Sequence, residues 1–175
     1  MKIFGWLADH SGCGWYRIML PLGALREHGH ETYWNGRFDD PDRWESDVVI
    51  AQRVCLPGPT AIYQRILKHK GTRPMMVFEL DDDLWNIDRA NMARTFYSDR
   101  QVRENLVTNI TMADAVTVST EPLAEIVRQW NTNVHVLPNA VPAQMLSWDR
   151  GHFTDRTTIG WQGSPTHNGD WVGDE

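Results

Sequence analysis

The chain has 175 residues, with 17 Lys and Arg against 23 Asp and Glu, for a net charge of −6. That length supports one well-buried domain and is thin for two, and the acidic balance argues against a protein that works by gripping phosphate backbones. No apolar run approaches the roughly 18 residues that cross a bilayer, and the start of the chain is too short in apolar residues for a secretory leader; the expectation is a soluble, cytoplasmic protein without a transmembrane segment.

Strand-length apolar runs alternate with stretches of helical period, the pattern of a parallel α/β sheet. Lys2–Leu7 is predicted as the first strand and Ala8–Gly14 as the loop after it. Trp15, Ile18, Met19, Leu22 and Leu25 then follow helical spacing and predict one buried stripe; Pro21 inside it predicts a kink, or a helix that begins near Pro21. Gly29 closes that helix, and His30–Trp34 is a short second strand. Asp47–Gln52 is a third, β-branched at its centre and so predicted to be buried on both faces. Pro57-Gly58-Pro59 opens a helix carrying Ile62, Tyr63, Ile66 and Leu67. Met75–Leu80 is the fourth strand, Arg100–Met112 a helix and Ala115–Val118 the fifth strand. Ser119 or Thr120 caps a helix with Pro122 in its first turn, and Val134–Leu137 is the sixth strand. Residues 142–156 lose periodicity and are expected to be a linker after a domain of residues 1–141. Thr157–Trp161 looks like a strand opening a second domain that is otherwise missing, since residues 157–175 are too few to bury a core. Nine tryptophans are expected mostly in the core, with Trp85 and Trp161 as candidates to border a cleft. Cys13 and Cys55 could form one bridge but make no disulfide framework or zinc site.

In an open parallel sheet, ligands bind outside the carboxyl ends of the strands. That rule selects the loop Asp9–Gly14, Gln52 and Arg53, Asp81, Asp82 and Asp83, Ser119 and Thr120, and Asn139. In the first loop, Gly12 and Gly14 precede a helix whose N-terminus offers amides to an anion, although the third glycine of a dinucleotide fingerprint and the lysine of a P-loop are missing. A purely structural turn is the alternative. Tyr16 and Arg17 lie in the first helical turn, where Arg17 could clamp an anion, and His10 is a candidate to touch substrate. The Asp81–Asp83 triplet has three readings: a divalent-metal site, carboxylates that bond acceptor hydroxyls or act as a base, or a solvated turn with a helix cap. No His or Cys spacing points to zinc, and no serine- or cysteine-nucleophile motif is present.

The motifs GCGWYR at 12–17, VFELDDDLW at 77–85, ADAVTVSTEPLAE at 113–125, VLPNAV at 136–141 and IGWQGSPTHNGD at 159–170 occur in this order. Together they resemble the N-terminal half of a glycosyltransferase of the GT-B fold, nearest the retaining, group-one (family-four-like) enzymes of bacterial surface-sugar clusters and phages. The resemblance implies a Rossmann-like domain with helices on both faces that holds the acceptor, facing a second domain that makes most contacts with a nucleotide-sugar donor. It implies that Gly12 and Gly14, with Arg17 as anion clamp, approach the donor phosphates. Asp81, Asp82 and Asp83 would lie beside the reacting sugar, and Gly163, Ser164 and His167 would meet the diphosphate or the sugar. His10, Tyr16, Gln52, Arg53, Ser119 and Asn139 are then the candidate acceptor contacts. Such enzymes generally need neither bound cofactor nor metal. The family's acidic donor motif and basic diphosphate clamp are absent from these 175 residues. The expectations are therefore an acceptor-side half that works with a donor domain, with self-association through the face left by the missing half as a possible partner contact, or, alternatively, a catalytically silent binding or assembly module. No nucleic-acid partner is expected.

Overall fold

The structure, a computed structural model, describes residues 1–38, 45–143 and 145. Six strands form one all-parallel sheet: β1 (Lys2–Trp6), β2 (Glu31–Asn35), β3 (Val48–Gln52), β4 (Met75–Leu80), β5 (Ala115–Val118) and β6 (Val134–Val136), in the order β2-β1-β3-β4-β5-β6. The chain winds outward from β1 in one direction to β2, then returns to β3 and winds in the other through β6. Parallel crossovers are right-handed, so this reversal sends the helices to opposite faces. The two buried clusters follow from it. On one face Ile3 and Leu7 pack with Ile18 and Leu22. On the other, Phe4, Trp6, Phe78 and Val116 pack with Tyr63, Ile66, Leu106, Ile110 and Leu123. Alternation along β1 divides its side chains between the two.

Gly5 shows how tightly the first face closes: a Cβ there would stand 2.3 Å from Ile18 Cγ2. The helix pressed against it runs as α1 (Gly12–Gly14), a π-helical turn (Trp15–Met19) and α2 (Leu20–Glu27). Of the two expectations at Pro21, a helix that begins there is borne out: α2 starts at Leu20 with Pro21 in its first turn, and helical structure also precedes it. The helix already begins at Gly12 and meets Pro21 through the wide turn, in which the Leu20 amide bonds to the Trp15 carbonyl five residues back. The expected stripe holds at Ile18, Met19, Leu22 and Leu25 and is corrected at Trp15. The π turn departs from the 3.6-residue period, so Arg17 and Ile18 are buried while Trp15 is 42% exposed.

On the second face lie α3 (Pro57–Leu67), α5 (Arg100–Met112) and α6 (Glu121–Val127), each with a start the sequence explains. Pro57 and Pro122 sit in first turns, where a missing N–H leaves no helical bond unmade. Asp99 caps α5 by accepting from the Val102 amide at 3.1 Å, and Thr120, rather than Ser119, caps α6 through the Leu123 amide. A short helix, α4 (Ala93–Tyr97), was not anticipated by the pattern. Gly29 takes φ of +85° to end α2, as expected. Cys13 and Cys55 are separate free thiols, so the possible bridge between them does not form. Among the described residues no helix is long and apolar enough to cross a membrane. The strand expected at Thr157–Trp161, and the whole of residues 157–175, lie outside the described residues.

Candidate functional site

The sheet reverses direction between β1 and β3, and in such sheets the crevice beyond the strand ends at that point is where ligands sit. Here the ends of the two strands are joined by polar side chains. The Ala8 amide donates to Gln52 Oε1 at 3.2 Å, and Arg53 pairs with Asp9 at 2.5 Å. Asp9 also organises the first loop, accepting from the Ser11 hydroxyl at 2.7 Å, the Ser11 amide at 2.8 Å and the Gly14 amide at 3.4 Å. Burial works to raise the Asp9 pKa, but these bonds and Arg53 outweigh it and hold the carboxyl below its usual range. Gly14 is required by this turn, because a Cβ there would stand 2.0 Å from the Asp9 carbonyl oxygen. Nothing lies within 4 Å of a Cβ at Gly12, so only Gly14 is fixed by local packing.

Arg53 has φ of +46°, the only non-glycine residue among those described in the left-handed region. Such a conformation costs a non-glycine residue roughly 1–3 kcal/mol and persists only where its surroundings impose it. Its amide donates to the Glu79 carbonyl at 3.0 Å. Burial opposes its charge, yet Tyr97, Asp81, Cys13 and Asp9 outweigh burial and raise its pKa, so the guanidinium stays charged. Its Nε atom is buried and has no hydrogen-bond partner among the described residues.

Beside Arg53 opens a cavity of about 240 Å³. Its walls come from the ends of β1 (Trp6, Leu7) and β3 (Gln52, Arg53), the following loop (Val54, Cys55, Leu56) and α4 (Phe96, Tyr97). Two buried asparagines of α5 hold that loop, Asn105 donating to the Cys55 carbonyl at 2.7 Å and Asn109 to the Val54 carbonyl at 2.8 Å. Arg103 ties α4 down through the Tyr97 carbonyl at 2.8 Å.

The aspartate triplet divides into different environments. Asp83 closes a turn, accepting from the Trp85 amide at 3.0 Å and the Asn86 amide at 3.2 Å. The Asp81 carbonyl accepts from the buried Ser119 hydroxyl at 2.6 Å, and Asp82 is exposed. Cys13 Sγ, Asp81 and Asp82 offer three ligand atoms within 4.8 Å of one another, a spacing that a cation could bridge. The Cys13 thiol is nonetheless pushed up to about 12, by burial first and then by its bond to Asp81, while Arg53 acts in the opposite sense. A metal would have to reverse that shift, because only the thiolate is a ligand.

Arg17 is buried and joins three segments. Its Nε donates to Glu79 Oε1 at 2.6 Å, and its Nη1 donates to the Leu137 carbonyl and, at 3.1 Å, to Asn139 Oδ1. Arg17 thus braces the first helix against β4 and the segment after β6; as an anion clamp it would have to leave Glu79. Burial pushes Glu79 up to about 7, against the lowering effect of Arg17 and with a further raising contribution from Asp81.

Of the expected site residues, the structure brings His10, Gly14, Gln52, Arg53 and the triplet to the same edge of the sheet. Nε2 of His10 would lie 3.2 Å from a Cβ on Gly36, a cavity-lining residue. Tyr16 is 38% exposed on the π turn, and Asn139 serves Arg17. Gly163, Ser164 and His167 lie outside the described residues. Sequence reasoning missed Glu79, hidden in an apolar strand, and Phe96 and Tyr97, whose part in the cavity exists only once α4 folds over β3. Comparison with known proteins finds no match, whether among family models, curated proteins or solved structures.

Proposed function

We propose that residues 1–141 form the acceptor-side half of a retaining, cytoplasmic glycosyltransferase that moves a sugar from a nucleotide-sugar donor to an acceptor hydroxyl. The observation that carries the reading is the gathering of Asp9, Cys13, Arg53, Asp81 and Asp82 beside a cavity at the point where the sheet reverses direction. The order of the five quoted motifs supports it independently. In this reading the acceptor oxygen bonds to the anomeric carbon as the bond from that carbon to the diphosphate breaks. The acceptor proton leaves to a carboxylate or to the departing diphosphate. Asp81 and Asp82 orient the hydroxyl, Arg53 offsets their charge, and the turn at Gly12 faces the donor phosphates. No metal is required.

The test measures nucleotide release and sugar transfer from UDP-glucose and GDP-mannose by a chain extended through, or supplied with, the donor-side half. Asp82→Asn is expected to depress turnover at least about tenfold, or roughly 1.4 kcal/mol of barrier, whereas Asp83→Asn keeps a turn acceptor and most of the activity. Equal turnover in Asp82→Asn and the parent removes Asp82 from the mechanism. A second reading, a catalytically silent module, is favoured by the fact that Arg17 and Ser119 are engaged inside the fold. Failure of both donors to bind or react would select it.

A further inference from the structure

Strand β3 is apolar up to its last residue, Gln52, whose amide is buried. At 1% exposed, Gln52 has almost no surface with which to touch an acceptor. Burying an amide costs free energy unless its bonds are made inside the fold, so a buried glutamine at a strand end calls for an explanation. Its Nε2 makes no hydrogen bond, although Gln52 stands opposite Glu79 in the β3–β4 ladder and favours the ionised form of that carboxylate. Among the described residues the side chain makes one hydrogen bond, accepted by Oε1 from the Ala8 amide at 3.2 Å.

That bond lies where the first loop leaves the sheet. β1 ends at Trp6, and the Leu7 amide still donates to the Asn35 carbonyl of β2 at 2.9 Å. Ala8 follows, and its amide bonds to a side chain instead. Arg53, the residue after Gln52, holds the residue after Ala8, pairing with Asp9 at 2.5 Å. Two consecutive residues therefore grip two consecutive residues. Neighbours in an extended strand point to opposite faces; the left-handed φ of +46° at Arg53 ends that alternation, and both side chains reach the same loop. Asp9 in turn accepts from the Ser11 and Gly14 amides and shapes the rest of the turn.

We infer that Gln52 is a positioning residue: its Oε1, acting through the Ala8 amide, fixes the start of the loop Asp9–Gly14 so that the turn at Gly12 is shaped for the donor phosphates. The inference rests on the glycosyltransferase reading for what the loop receives, and on the hydrogen bonds alone for what holds the loop.

The experiment compares the parent with Gln52→Met, of similar length without an acceptor, and Gln52→Glu, which keeps an acceptor oxygen. Amide hydrogen exchange in the full chain without ligand reads the hold. The Ala8 amide is expected to exchange about fivefold or more faster in Gln52→Met, the effect of losing one hydrogen bond, and within about twofold of the parent in Gln52→Glu. Kinetics of a chain extended through the donor-side half read the consequence. Gln52→Met is expected to raise KM for the nucleotide-sugar donor about fivefold or more with kcat within about twofold, and Gln52→Glu to restore KM. A purely structural glutamine would lower the unfolding midpoint and leave the KM of the folded enzyme alone. Ala8 exchange unchanged in Gln52→Met would overturn the hold, and Gln52→Glu as impaired as Gln52→Met would overturn the assignment to Oε1. Faster exchange with an unchanged donor KM would overturn the positioning role. A parent inactive with both UDP-glucose and GDP-mannose would overturn the transferase reading and the donor role with it, while the Ala8 exchange would still decide whether Gln52 sets the loop.

Discussion

Two arginine–carboxylate pairs stand at the same edge of the sheet. Arg17 and Glu79 are sealed, with side chains 4% and 2% exposed, and the arginine also bonds to the Leu137 carbonyl and Asn139. Arg53 and Asp9 are more open, at 14% and 29%, and the arginine keeps a buried donor unpaired on a left-handed backbone. The first arginine sits in a helix and ties loops together; the second sits in an irregular turn and faces a cavity. An ion pair by itself therefore says little about role. The two pairs differ in how far the cation's donors are satisfied within the fold and in whether its backbone is relaxed.

The largest effect that would break this contrast is expected at the brace. Arg17→Met leaves the Glu79 carboxylate buried without its partner and should cost about 3–5 kcal/mol in chemical denaturation. The double variant Arg17→Met/Glu79→Leu should recover most of that loss, because it removes both charges. A loss in Arg17→Met smaller than about 1 kcal/mol would mean that Arg17 is no strut.

At the first loop the expected effect is smaller. Gly14→Ala places a methyl group against the Asp9 carbonyl and should destabilise by roughly 1–3 kcal/mol, whereas Gly12→Ala, in open space, should be close to neutral. Equal effects at the two glycines would contradict the turn described for Asp9.

The brace also predicts a pH signature. The Glu79 pKa is raised from 4.5 to about 7, so between these values the native state binds a proton that the unfolded chain has released. Stability due to this group is full below about pH 4.5 and falls as pH rises toward 7, with a slope of at most about 1.4 kcal/mol per pH unit. Asp9, and Asp114 where the hydrogen bond from Arg73 holds the carboxyl low, act in the opposite sense and in a lower window, losing stability as pH falls below their usual value of 3.8. Glu79→Gln should flatten the profile between pH 5 and 7 relative to the parent; an unchanged slope would assign it to other groups.

The smallest effect sharpens the other half of the contrast. Arg53→Ala and Arg53→Gly both lose the Asp9 pair, but only glycine relieves a φ of +46°. The glycine variant should be the more stable by about 1 kcal/mol; equal stability would remove the strain at Arg53.

Much of the scaffold was legible because local chemistry and tertiary burial agree. The Met75–Leu80 run, the Arg100–Met112 helix and the Ala115–Val118 strand stand where the apolar period puts them. The π turn was not legible, since a count of helical period assumes 3.6 residues per turn and assigns Trp15 to a stripe it does not join. Helix α4 buries none of its own residues, so no stripe announces it. At the site, the strand-end rule picked out Arg53 and the triplet from sequence. It could not divide Asp83, a turn former, from Asp81 and Asp82, nor foresee that Arg17 would bond to Glu79 across 62 residues. Those distinctions arise from contacts between segments distant in the chain, on which residue pattern carries no signal.

The most direct test of the central claim is amide chemical-shift mapping of the full chain titrated with UDP-glucose and GDP-mannose. The account predicts saturable shifts for at least one donor, concentrated in Asp9–Gly14, Arg53 and Asp81–Asp83 and sparing the far end of the sheet around Lys2, Glu31 and Met75. Saturable shifts centred away from the β1–β3 crevice, or none with either donor, would contradict it.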